Sequence, residues 1–183
     1  SRDMIQAFID NAQAIKADPA IAHNIINDSL VPKINFPLMS RWVLGKNWRK
    51  ATAQQRRVFQ SEFKKMVVTF YSTALLQFLQ DNELDKDMIK FMPFRGTLNG
   101  KYATVRSRVF PPNGAEPVKV NYDLYYGKSG QWRVYDVAVE GISLVTSYRS
   151  SFKHIISQKG MDAFLLELKS KTNNTSQLIA NGK

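Results

Sequence analysis

The sequence predicts an α+β domain: a curved antiparallel sheet of about four strands, covered on one face by several helices that enclose a hydrophobic pocket. Three observations carry this. Residues 1–80 place large apolar groups at three- and four-residue spacing, residues 88–140 alternate instead, and over 143–171 the helical spacing returns. The 183 residues suit one domain, with a polar tail over 172–183.

Met4, Ile5, Phe8, Ile9, Ala12 and Ile15 give one amphipathic helix over 2–17. Asp18-Pro19 is an N-cap with Pro at the first helical position, and the helix it starts runs to Pro32 with Ile21, Ala22, Ile25, Ile26 and Leu30 inward. Asn35-Phe36-Pro37 starts another, stopped by Gly45. The 45–51 segment reads as a loop and a hinge. Thr52 and Gln55 have capping-box spacing, so a long helix should run from Thr52 to about Leu79. Its broad stripe of Phe59, Phe63, Met66, Val67, Phe70, Tyr71, Leu75 and Phe78 needs a large apolar partner.

The segments "KYATVRSRVF", "VKVNYDLYY" and "WRVYDVAVE" alternate and form a meander, with turn residues in "PPNGAEP" and "GKSGQ". "MIKFMPFRG" supplies the fourth strand. Val118, Val120, Tyr122, Leu124 and Tyr126 share one face. Alternation in the last strand is imperfect, leaving open which of Val134 and Val137 points inward. The chain then turns on Gly141 and becomes helical at Ser143, with Leu144, Val145, Tyr148, Phe152, Ile155 and Ile156 inward. A short helix with Phe164, Leu165 and Leu168 follows Gly160.

Apolar content of 44% and charged content of 22% are ordinary for a folded protein. The net charge of +11 is not; it favours anionic partners. The absence of Cys excludes disulfides and thiol chemistry. No apolar run reaches the ~18 residues of a membrane span, and Ser1 in place of an initiator Met fits a removed leader or a trimmed start.

No constellation for catalysis or metal binding is visible. His23 and His154 lack partners at motif spacing. "GTLNGKY" is one residue short of a P-loop, carries Tyr102 where Mg²⁺ needs a hydroxyl residue, and leads into a strand. Glu140 and Asp136 suit structural ion pairs with Arg149 or Arg133. Nucleic-acid binding has the charge in its favour, but the cations are dispersed and the aromatics fall on inward faces. A lipid-free adaptor is the other alternative.

"LGKNWRKATAQQRRVFQSEF" and "YDVAVEGISLVTSYRSSFKHIISQKGMDAFLLELKSK" resemble the MlaC (toluene-tolerance, Ttg2-type) family of periplasmic phospholipid-binding proteins. The residues that carry the resemblance are Leu44, Gly45, Trp48, Ala51 and Thr52, then Tyr135, Asp136, Glu140, Gly141 and Ser143, then Gly160, Asp162 and Phe164. Ala53 and Ser147 depart from the common Pro and Asn. The resemblance implies a monomeric periplasmic carrier that needs no cofactor. It would move phospholipid between an outer-membrane lipoprotein complex and an inner-membrane ABC transporter complex, with the acyl tails buried.

On that implication the lipid would lie between three walls. Leu144, Val145, Tyr148 and Phe152 form one. Phe63, Val67, Phe70, Tyr71 and Leu75 oppose it, flanked by Phe36, Met39, Trp42 and Val43. Val105, Val120, Tyr122, Leu124, Val137 and Val139 form the floor. Arg149 and Lys153 stand near the mouth, where Arg149 meets either the lipid phosphate or a carboxylate.

Overall fold

The computed structural model describes residues 2–81, 85–94 and 100–180. Among the described residues, eight α-helices and five strands follow the predicted order of helices, sheet, helices. The first predicted helix is two, α1 (Arg2–Asp10) and α2 (Ala12–Ala17), because Asn11 leaves helical geometry. Asp18 caps α3 (Pro19–Ile25) by accepting from the Ala20 N–H at 2.9 Å. Instead of continuing to Pro32 as an α-helix, the chain passes through a π turn (Ile26–Leu30) and a 3₁₀ turn (Val31–Lys33).

Asn35 caps α4 (Phe36–Leu44) through the Leu38 N–H at 3.1 Å, and Gly45, at φ 53°, ends it. The segment read as a loop holds a short helix, α5 (Lys46–Lys50). The capping box forms as predicted: Gln55 N–H donates to Thr52 Oγ1 at 3.1 Å and Thr52 N–H to Gln55 Oε1 at 2.9 Å. It opens α6 (Ala53–Asp81), 29 residues long.

The antiparallel sheet has the order β1 (Ile89–Phe91), β2 (Tyr102–Val109), β3 (Val118–Tyr126), β4 (Trp132–Val139) and β5 (Ile142–Ser143). The fifth strand is a two-residue pairing that the sequence did not announce. Glu140 and Gly141 make the β4–β5 turn with φ of 47° and 82°, the pair of positive values a tight hairpin demands. Part of the "GTLNGKY" segment, residues 96–99, lies outside the described residues, as do 181–183 of the predicted tail. Ser143 then caps α7 (Leu144–Lys159) by accepting from the Thr146 N–H at 3.0 Å.

The last predicted helix is not short. α8 runs over Met161–Ala180, through most of the segment read as a tail.

The core is helical. Phe59 stacks on Phe63 at 5.3 Å and meets the edge of Phe152 at 6.0 Å, and Phe152 lies 4.9 Å from Phe164. α6 packs on α8, and α4 on α7. Among the described residues, the main buried cluster draws its members from helices and from the turns before α4, and from no strand. The helical layer meets the sheet chiefly along β4 and β5. There Ile34 pairs with Val134, and the Asn35 N–H donates to the Val134 carbonyl at 2.7 Å. Among the described residues no helix is long and apolar enough to cross a membrane.

Candidate functional site

The sheet has one apolar face. Its register aligns Val105, Tyr122 and Val137 in one row, and Ser107, Val120 and Val139 in the next. A bulge in β4 resolves the broken alternation. Leu124 pairs with Val134 while Asp123 pairs with Asp136, so Tyr135 is the extra residue. Val134 and Val137 therefore both share the face of Leu124 and Tyr122. Val120 is buried, Val105, Tyr122, Leu124, Val134 and Val137 are half-buried, and Val139 is exposed.

α6 divides along its length. Phe59 and Phe63 have no accessible surface, and Val67 keeps 7%. One turn on, Phe70 is 57% exposed and Tyr71 45%, their rings 5.2 Å apart and edge-on. Leu75 is half-buried at the cluster's margin. Burial, with Tyr148 beside it, pushes the Tyr71 hydroxyl up to about 12, and burial raises Tyr148 as well. Leu144 and Tyr148 are half-buried against the same cluster.

The predicted lining residues thus fall into two groups. Phe36, Met39, Val43, Phe63, Val67, Val145 and Phe152 sit inside the helix–helix packing and present almost no surface in this conformation. Phe70, Tyr71, Leu75, Leu144, Tyr148 and the sheet residues Val105, Tyr122, Leu124, Val137 and Val139 retain it. A helical stripe states that a face is apolar, not whether a helix or a ligand covers it. Trp42 belongs to neither group. It is 43% exposed and faces Tyr135 at 6.1 Å.

The expected ion pairs with Arg149 do not form. Asp136, 8% exposed, accepts from the N–H of Val145 at 3.0 Å, the N–H of Val137 at 2.8 Å and the Ser143 hydroxyl. It fastens the first turn of α7 to β4, where a carboxylate also complements the helix dipole. Glu140 accepts from the Lys119 backbone N–H. Arg149 lies over the Trp42 ring at 5.9 Å, and its Nε–H donates to the Trp42 carbonyl at 2.7 Å. Its side chain packs on Gly45, where a Cβ would meet Arg149 Cδ at 3.3 Å. Lys153, one turn on, is exposed.

Beside Arg149 opens a cleft of about 520 Å³, lined by Leu38, Arg41, Trp42, Gly45, Lys46, Trp48, Arg49, Tyr102 and Arg149. The sequence reading missed this cleft, although "RWVLGKNWRK" interleaves aromatics with cations over ten residues. Among the described residues no cluster of His, Cys, Asp and Glu is fit to hold a metal.

The model of the family described as MlaC protein matches residues 1–170. The chain belongs to the MlaC family. Among its relatives is the intermembrane phospholipid transport system binding protein MlaC of Haemophilus influenzae, 24% identical over 159 residues, which are 86% of this chain and 72% of that protein. Toluene tolerance protein ttg2D of Pseudomonas putida is 29% identical over 153 residues, 83% of this chain and 67% of that one. A solved structure of a phospholipid-binding protein from Ralstonia solanacearum, in complex with a phospholipid, superposes with a TM-score of 0.74. That comparison covers 96% of this chain and 98% of that one at 24% identity, and it shows that the two share the fold. Over this MlaC fold the apolar sheet face and the exposed half of α6 are among the apolar surfaces left outside the helical core.

Proposed function

We propose that this MlaC-family chain is a phospholipid carrier of the periplasm, taking lipid through water between membrane-bound complexes on either side. The acyl tails lie between the apolar sheet face and the surface-retaining residues Phe70, Tyr71, Leu75, Leu144 and Tyr148. Phe36, Met39, Val43, Phe63, Val67, Val145 and Phe152 stand behind that wall and fix its shape. The observation that carries the reading is that two apolar layers meet along β4 and are not merged into one core.

The energetics require such a site. A methylene resists water by about 0.8 kcal/mol. Two ordinary acyl chains hold roughly thirty methylenes, so a bare crossing costs on the order of 20 kcal/mol. A surrounding apolar wall removes that barrier without a covalent step, and affinity then follows tail size. The family membership and the names of the relatives support phospholipid as the cargo.

Organic extraction and mass spectrometry of the purified chain test this. Phospholipid is expected in the wild-type extract. Leu124→Glu, which puts a carboxylate among the tails, is expected to abolish it while circular dichroism stays unchanged. A folded variant that carries undiminished lipid removes the sheet face from the site.

A further inference from the structure

The basic cleft at the α4–α5 junction is built, not incidental. Arg41, Lys46, Arg49 and Arg149 line it with Trp42, Trp48 and Tyr102, and no acidic residue does. None of the four cations has a carboxylate partner among the described residues. Four uncompensated charges around one concavity repel each other, and a chain with 15 Asp and Glu could have neutralised them.

Two of the walls are rigid. Arg149 is held by the Trp42 ring and carbonyl, a bond that uses Nε and leaves both terminal nitrogens of the fork without a partner among the described residues. Behind the other wall, outside the cleft lining, Arg56 stacks over Trp48 at 5.3 Å, with its Nε donating to the Trp48 carbonyl at 2.8 Å and a terminal nitrogen to the Arg49 carbonyl at 3.4 Å, and so braces Trp48. The Arg149 guanidinium, held through Nε alone, is preorganised for bidentate contact with a carboxylate.

The cleft does not open on the apolar sheet face. Its sheet residue, Tyr102, alternates with Ala103 and Val105 and lies on the polar face, against Tyr125 and Tyr135. We infer that this cleft is a docking site for an acidic segment of a partner protein, separate from the lipid site, and that Arg149 serves docking and not the headgroup. Trp, Tyr and Arg together are the composition of protein-interface anchors. A flat membrane surface would be met by exposed cations alone, without a concavity lined by Trp42, Trp48 and Tyr102.

The test uses the full chain with Trp132→Phe, so that Trp42 and Trp48 report. A short Glu- and Asp-rich peptide without aromatics is titrated by indole fluorescence at several salt concentrations. Inorganic phosphate and vesicles containing anionic phospholipid are titrated in parallel. The expected result is saturable, salt-sensitive peptide binding, weakened about tenfold by Lys46→Glu and by Arg149→Lys. Lys128→Glu, an equal charge change in the β3–β4 loop, leaves it unaltered, and Lys46→Glu retains its copurified lipid. Equal weakening by Lys128→Glu would reduce the effect to net charge and overturn the proposal. Indole shifts with phosphate or vesicles but not peptide would assign the cleft to a headgroup or membrane instead. Loss of lipid from folded Lys46→Glu would merge it with the lipid site.

Discussion

Asp136→Ala should be among the most damaging single changes outside the helical core. The carboxylate is 8% exposed and takes three hydrogen bonds, from the N–H groups of Val137 and Val145 and the Ser143 hydroxyl. Bonds to a charged acceptor contribute about 1.5–3 kcal/mol each. The sum overstates the loss, because Val137 is the adjacent residue and Ser143 can still bond Thr146. The Val145 N–H is different: it is buried in the first turn of α7 and left unsatisfied, at about 1–3 kcal/mol. Together these give about 3–5 kcal/mol, or roughly 10–15 °C in Tm at about 2–4 °C per kcal/mol for a chain of this size. Asp136→Asn keeps one acceptor oxygen for the two N–H groups and should cost about 1–2 kcal/mol. Urea unfolding followed by circular dichroism measures both. An alanine variant within 1 kcal/mol of wild type, or an Asn variant as unstable as the Ala one, would refute the assignment of Asp136 as the tie between β4 and α7.

Other perturbations separate core from site. Phe59→Ala, which empties a fully buried position between Phe63, Phe152 and Phe164, should cost about 3–5 kcal/mol in the same urea assay. Gly45→Ala combines a φ of 53° with a 3.3 Å approach to Arg149; it should cost about 1–3 kcal/mol and shift Trp42 fluorescence as the Arg149 stack is displaced. Tyr71 should ionise late in an ultraviolet tyrosinate titration, near 12, and Tyr71→Phe should remove that last step. Because its folded pKa lies above the ordinary value of about 10, the protonated form favours the fold. That contribution is complete below pH 10 and is lost as pH rises from about 10 toward 12.

Local signals made much of the fold legible. The Thr52–Gln55 box, the Asp18 and Asn35 caps and the two-residue alternation of β3 each state their element outright. What failed was what packing decides. "KTNNTSQLIA" reads as polar and frayed, yet α8 continues because Thr172 is buried and bonds the Leu168 carbonyl at 2.9 Å, so the helix keeps an inward side past Leu168. The β4 bulge was visible only as a broken alternation, since sequence cannot say which residue is skipped. The apolar character of the positions in the proposed site was legible. Their division was not, because Phe63 and Tyr71 are two turns apart on one stripe, and only the placement of α7 and α8 makes the first core and the second surface.

That division has an energetic consequence for carriage. Were the sheet face packed into the helical cluster, each square ångström of lipid contact would first have to be exposed, at about 25 cal/mol. A tail would then gain little by entering. Here the aromatic cluster around Phe59 stabilises the helical layer by itself, and β4, with Asp136 and the Ile34–Val134 pairing, holds the sheet beside it. On the proposed assignment, folding and lipid binding draw on different apolar surfaces, so the cargo can leave without taking the core's stability with it. Changes at Leu124 or Val137 should therefore alter lipid content with small effects on the urea midpoint, and changes at Phe59 or Phe164 the reverse. Equal sensitivity of both properties at both sets of positions would mean that the two layers form one core after all.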